Sequence, residues 1–133
     1  MLNPTSTGTA SNDDVKFAAS SISSNSLNNC DCIIFFSCKS AGYDSNDFST
    51  SMVKKAKDGG AKYAIGCQGN GVCDDFEDFI YYMISNLEYK ANSTTEYDYK
   101  NAFTEYGDYI LSERIITPTI FKDSDGLTAG GVN

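Results

Sequence analysis

The sequence predicts an α/β domain, an open sheet of parallel strands joined by crossover helices. Three observations carry this expectation. Ile33-Ile34-Phe35-Phe36 is an apolar run too short for a helix, and its β-branched and aromatic residues suit a strand buried on both faces. A helical stretch follows and is closed by Gly59-Gly60. A second short apolar run, Ala61 to Cys67, comes next. Strand, helix, glycine stop and strand make a βαβ unit, whose two strands run parallel with a right-handed crossover.

The first strand is expected over residues 31–37 and ends at Cys38. Ser40-Ala41-Gly42 then lets the backbone turn tightly. In an open α/β sheet the carboxyl edge is where ligands bind, so a thiol at Cys38 is better placed for reactivity than one in mid-core. Asn46 or Asp47 is positioned to cap a helix over 48–58, with Phe48, Met52, Val53 and Ala56 inward and Lys54, Lys55 and Lys57 outward. The lysines fall near its C-terminal end, where positive charge complements the helix dipole. Gln68-Gly69-Asn70-Gly71 is expected as a loop at the same sheet edge as Cys38.

The clearest helix spans about 74–87. Asp74, Asp75, Glu77 and Asp78 crowd its first turn, and Phe76, Phe79, Ile80, Met83, Ile84 and Leu87 recur at helical spacing as a core-facing stripe. Asn92-Ser93-Thr94 matches a glycosylation sequon, which means little without a secretory signal. Thr94 or Thr95 would cap a third helix over 96–109, with Tyr99, Ala102, Phe103, Tyr106 and Ile110 on its apolar side. The tyrosines of 81–109 are expected in core and boundary packing. Ile115 to Phe121 alternates in part and contains Pro118, which suits an edge strand. The chain thus divides into a flexible polar segment over 1–28, an α/β unit over 29–121 and a polar tail over 122–133. Within the first segment, Val15 to Ala18 reads as a short edge strand, and 20–29 as a loop or one helical turn against the next strand.

Composition restricts function. A chain of 133 residues allows one domain with a modest core. Ten basic against eighteen acidic residues give a net charge of −8, which argues against nucleic acid and anionic membranes as partners and favours solubility. Residues 1–29 hold no apolar signal region and no stretch approaches membrane-spanning length, so the expectation is a cytoplasmic protein with reduced thiols. There is no histidine. A Cys–His or Ser–His pair would have to take its imidazole from elsewhere.

Five cysteines stand at 30, 32, 38, 67 and 73. Cys30 and Cys32, two apart, would share one strand face and could form half of a metal site. The spacing lacks the paired CxxC knuckles of zinc sites, and free thiols are the preferred reading. A Cys38–Cys67 disulfide requires α-carbons within about 7 Å and is disfavoured by a reducing compartment. Asp123-Ser124-Asp125-Gly126 is similar to the start of a calcium loop but has no glutamate at loop position 12. Gly69-Asn70-Gly71 has no Walker lysine after it. No cofactor and no metal are expected.

Two pieces, an apolar strand ending Phe36-Ser37-Cys38-Lys39-Ser40-Ala41 and Gly59-Gly60-Ala61-Lys62-Tyr63-Ala64-Ile65-Gly66 after one helix, carry a resemblance. Together they resemble the C-terminal half of caspase-like cysteine peptidases, the group of caspases, legumain, gingipains and bacterial CHAT domains. The resemblance covers about residues 29–110. It implies a partial three-layer α/β/α sandwich and peptide-bond hydrolysis by a cysteine nucleophile. Cys38 falls on that nucleophile, and its own backbone N–H on part of the oxyanion hole. Gly60, Ala61, Ile65 and Gly66 fall on the family's next strand, and Gln68, Gly69, Asn70 and Gly71 near its substrate pocket. The family's histidine, on the preceding strand, has no counterpart here. Two readings follow: a fragment of a longer peptidase, which is favoured, or a non-catalytic interaction module of the same fold. The implied partners are a peptide or protein substrate in the first case and a protein partner in the second.

Overall fold

The computed structural model of the chain describes residues 18–90 and 97–132. The expected strand at Val15 to Ala18 falls almost wholly outside these residues, as do the sequon and the caps at Thr94 and Thr95. Strands β1 (Cys32–Ile34), β2 (Tyr63–Gln68), β3 (Thr117–Asp123) and β4 (Thr128–Gly131) form one sheet in the order β1-β2-β3-β4. Helices α1 (Met52–Asp58), α2 (Cys73–Lys90) and α3 (Tyr99–Ser112) complete a mixed α/β domain.

The expected parallel pair is present, with Cys32, Ile33 and Ile34 of β1 opposite Tyr63, Ala64 and Ile65 of β2. The rest of the sheet is antiparallel, against the expectation of parallel strands throughout. The connection explains this. One helix between β1 and β2 returns the chain to the end where it started, whereas two helices between β2 and β3 leave it at the opposite end.

Alternation along the strands sorts the core onto two faces. Tyr63 and Ile65 point to α2 and α3, where they meet Phe79, Met83, Phe103, Tyr106 and Phe121. Ala64 points to the other face, with Val53 and Ala56 of α1 and the half-buried Ile33 and Phe35. Phe79 stacks on Phe121 with ring centroids 4.2 Å apart and meets Tyr106 edge-on at 4.9 Å. Burying each large apolar side chain contributes roughly 1.5–3 kcal/mol.

Several elements differ from expectation. β1 is shorter than 31–37 and half-buried rather than buried on both faces, because its outer edge has no strand partner among the described residues. Cys30 precedes the strand and packs on the α1 face while Cys32 packs on the α2 face, so the two thiols do not share a face. Helix α1 begins later than 48: Phe48–Thr50 is a 3-10 turn, and Ser51 caps α1 by accepting from Lys54 N–H at 3.2 Å. Asp98 caps α3, accepting from Asn101 N–H at 2.9 Å. Ile84, placed on the α2 stripe, is exposed.

β3 is an inner strand rather than an edge. Pro118 is tolerated because the β3–β4 register shifts between Thr117 and Ile120, and at such a bulge the missing N–H leaves no gap in the ladder. The residues read as a polar tail fold into the end of β3 and into β4. Asp123 is fully buried and accepts from Tyr63 Oη at 2.6 Å, Asp125 N–H at 2.9 Å and Leu127 N–H at 2.8 Å. Lys122 is buried with its Nζ 4.6 Å from the centre of the Phe48 ring.

Candidate functional site

Beyond β1 the chain makes a tight excursion over the end of β2. Ser40 holds it there. Its hydroxyl donates to Ser37 O at 2.8 Å and accepts from Cys67 N–H at 2.9 Å. Glycine is required opposite, since a Cβ on Gly66 would stand 2.6 Å from both Ser40 Oγ and Val53 Cγ2. Three backbone bonds complete the seam: Ala41 N–H to Cys67 O at 2.9 Å, Lys39 N–H to Gly69 O at 2.7 Å and Gly69 N–H to Gly42 O at 2.9 Å. Lys39 takes the left-handed conformation, φ +62°, a costly state for a residue with a side chain.

This excursion carries Cys38, whose thiol is exposed. Its sulfur accepts the N–H of Gly71 at 3.3 Å, so the expected meeting of Cys38 with the loop after β2 is present. Gly69 and Gly71 are the residues brought to it. Gln68 instead ends β2 and pairs with Ile120, and Asn70 is exposed on the loop. A Cβ on Gly71 would collide with the Phe76 ring at 2.5 Å and stand 3.0 Å from Cys67 Sγ. Cys67 is fully buried, and burial pushes its thiol pKa up.

The apolar surroundings are continuous with the core. Phe36 is half exposed and meets Phe76 edge-on at 5.8 Å, and Phe76 meets Phe121 in the same manner at 5.7 Å. Asp75, in the first turn of α2, is committed to β3, where its Oδ2 accepts Thr119 N–H at 3.1 Å. Thr119 in turn accepts Val72 N–H at 2.7 Å. The bulge at Pro118 frees Thr119 from the ladder for this role.

All five cysteines are free thiols, and no cluster of three metal-ligating side chains occurs among the described residues. No helix among them is long and apolar enough to cross a membrane. Cys32 sits at the amino end of β1, and its thiol pKa is pushed up to about 12 by burial, with Cys30 and Asp31 adding to the effect. Two grooves lie away from Cys38. One, of about 500 Å³, runs between α3 and β4 past Leu111, Ile116 and Leu127. The other, of about 420 Å³, is lined by Tyr63, Leu87, Tyr97 and Tyr99.

Ser40 and Asp123 are the residues that sequence reasoning missed. Ser40 was legible only as a small turn residue. Asp123 had a signal in the Asp-Ser-Asp-Gly turn between two runs with strand character. Comparison with protein-family models, with curated proteins and with solved structures finds no match to this chain.

Proposed function

We propose that this chain is the nucleophile-bearing part of a caspase-like cysteine peptidase, with Cys38 attacking a peptide carbonyl to form an acyl-enzyme. One observation supports the reading above others: Cys38 is exposed four residues past the end of β1, beside the loop that follows the parallel β2. The backbone bonds from Lys39 and Ala41 hold the turn that carries Cys38 beside the loop after β2, with the thiol exposed. Gly69 leaves open backbone near it, where a substrate side chain would enter, whereas the space over Gly71 is filled by Phe76. No cofactor takes part in this chemistry. The general base is an imidazole delivered by another segment or another chain, because the sequence has none.

A peptide bearing a thiol-directed electrophile tests the proposal. Labelling selective for Cys38, lost in Cys38→Ala, is expected. Labelling of Cys38 no faster than that of exposed Cys73 would count against an activated nucleophile.

The lack of histidine also favours a second reading, a non-catalytic interaction module of the same fold. Its partner would add a strand to the outer edge of β1, which pairs with no strand among the described residues. Under this reading no peptide electrophile selects Cys38, with or without added imidazole.

A further inference from the structure

The sulfurs of Cys38 and Cys67 converge on one backbone residue. Gly71 gives its N–H to Cys38 Sγ at 3.3 Å, and a Cβ built on the same glycine would stand 3.0 Å from Cys67 Sγ. The segment carrying Cys38 is pinned across the end of β2 through Ala41 and Lys39, and the hydrogen bond from Ala41 N–H ends on the carbonyl of Cys67 itself. Gly69, with φ +67°, and Gly71 are the residues that would move for the two sulfurs to meet.

We infer that Cys38 and Cys67 form a peroxide-responsive thiol pair, with Cys38 the residue oxidised first and Cys67 the one that resolves it. Exposure divides the roles. Cys38 is open to solvent and meets the peroxide, whereas Cys67 is fully buried, its thiol donating to the carbonyls of Gln68 at 3.7 Å and Gly69 at 3.6 Å. In the first step the Cys38 sulfur attacks one peroxide oxygen and the O–O bond breaks. Cys38 becomes a sulfenic acid, and the departing oxygen leaves as water with the thiol proton. In the second step the Cys67 sulfur gives up its proton and attacks Cys38 Sγ. The S–O bond breaks, and the hydroxyl leaves as water with that proton. Two thiols and one hydrogen peroxide thus give one disulfide and two waters. Burial holds Cys67 in its thiol form, so the second step quickens as pH rises. The pair does not depend on peptide hydrolysis, but its closure withdraws Cys38 from any nucleophilic role.

The test treats the reduced full chain with hydrogen peroxide, followed by non-reducing digestion and mass mapping. The expected product is a Cys38–Cys67 linked peptide, with free thiols falling from five to about three and recovering with dithiothreitol. In Cys67→Ala and Cys67→Ser, Cys38 stops at the sulfenic acid and takes up a 1,3-dione probe about fivefold more than in the unaltered chain. Equal dione labelling in all three chains, a link from Cys38 to Cys73, or survival of all five thiols would overturn the inference. If neither variant folds, the map of the unaltered chain decides alone. A chain that closes the disulfide yet ignores the peptide electrophile keeps this inference and loses the peptidase reading.

Discussion

Tyr63 Oη donates to Asp123 Oδ2 at 2.6 Å, joining the start of β2 to the turn between β3 and β4. Both residues are buried, and the same carboxyl group also receives two backbone N–H groups of the turn. Tyr63→Phe is expected to lower stability by about 1.5–3 kcal/mol, the range for a hydrogen bond to a carboxylate. Asp123→Ala also strands the two N–H donors and is expected to cost more. Urea unfolding of the two variants measures the order, and a milder effect for Asp123→Ala would contradict it.

Gly71→Ala is expected to act on Cys38 without touching it. The added methyl meets the Phe76 ring and must displace the loop, a change that costs about 1–3 kcal/mol in a packed site. The Gly71 N–H then moves away from Cys38 Sγ, and alkylation of Cys38 by iodoacetamide should change in rate while that of Cys30 does not.

Acid sensitivity should centre on the α2–α3 pair. Lys90 bonds Glu105 at 2.5 Å and lowers the pKa of its carboxyl, with Tyr97 Oη adding a bond at 2.8 Å. Lys100 does the same for Asp125. A depressed folded-state pKa stabilises the fold above the ordinary carboxylate values of 4.5 and 3.8, and the gain is lost as pH falls through the lowered values. Stability should therefore fall below about pH 4.5, less steeply in Glu105→Gln, as thermal melts across pH would record.

The alkaline side follows from buried hydroxyls and the two raised thiols, Cys32 and Cys67. Burial raises the pKa of Tyr63 and Tyr106, with the bond to Asp123 adding to the first, and it raises Cys32 to about 12. These groups stay protonated in the fold while the unfolded chain ionises, so stability is intact below their ordinary values of 9.0 and 10.0 and declines above them. Cys32→Ala should make the decline just above 9.0 shallower, with the raised Cys67 thiol keeping its onset there, as urea unfolding across pH would record.

The βαβ unit was legible because its signals are local: an apolar run, a lysine-bearing helix and a glycine pair. The stripe of Phe79 and Met83 on α2 and that of Phe103, Tyr106 and Ile110 on α3 were legible through helical periodicity. The two helices between β2 and β3 were legible, but the antiparallel orientation they impose on β3 was not drawn from them, and β4 lies in residues read as a polar tail. Pro118 argued for an edge, yet a bulge absorbs it in an inner strand. Lys122 and Asp123 read as tail because their charges were weighed without the aromatic ring and the hydroxyl that receive them. At Cys38 the meeting with the 69–71 loop was foreseen from strand order, whereas the Ser40 hinge behind it rests on contacts no local pattern encodes.

The two rims of the sheet are unequal as places for growth. Gly130 and Gly131 in β4 have φ of +87° and +103°, so that rim bends out of the pleat and gives a poor template for a neighbouring ribbon. The opposite rim, at β1, has no such bend. Among the described residues, the β1 rim is therefore the one shaped to accept a further strand, next to the strand that leads into Cys38.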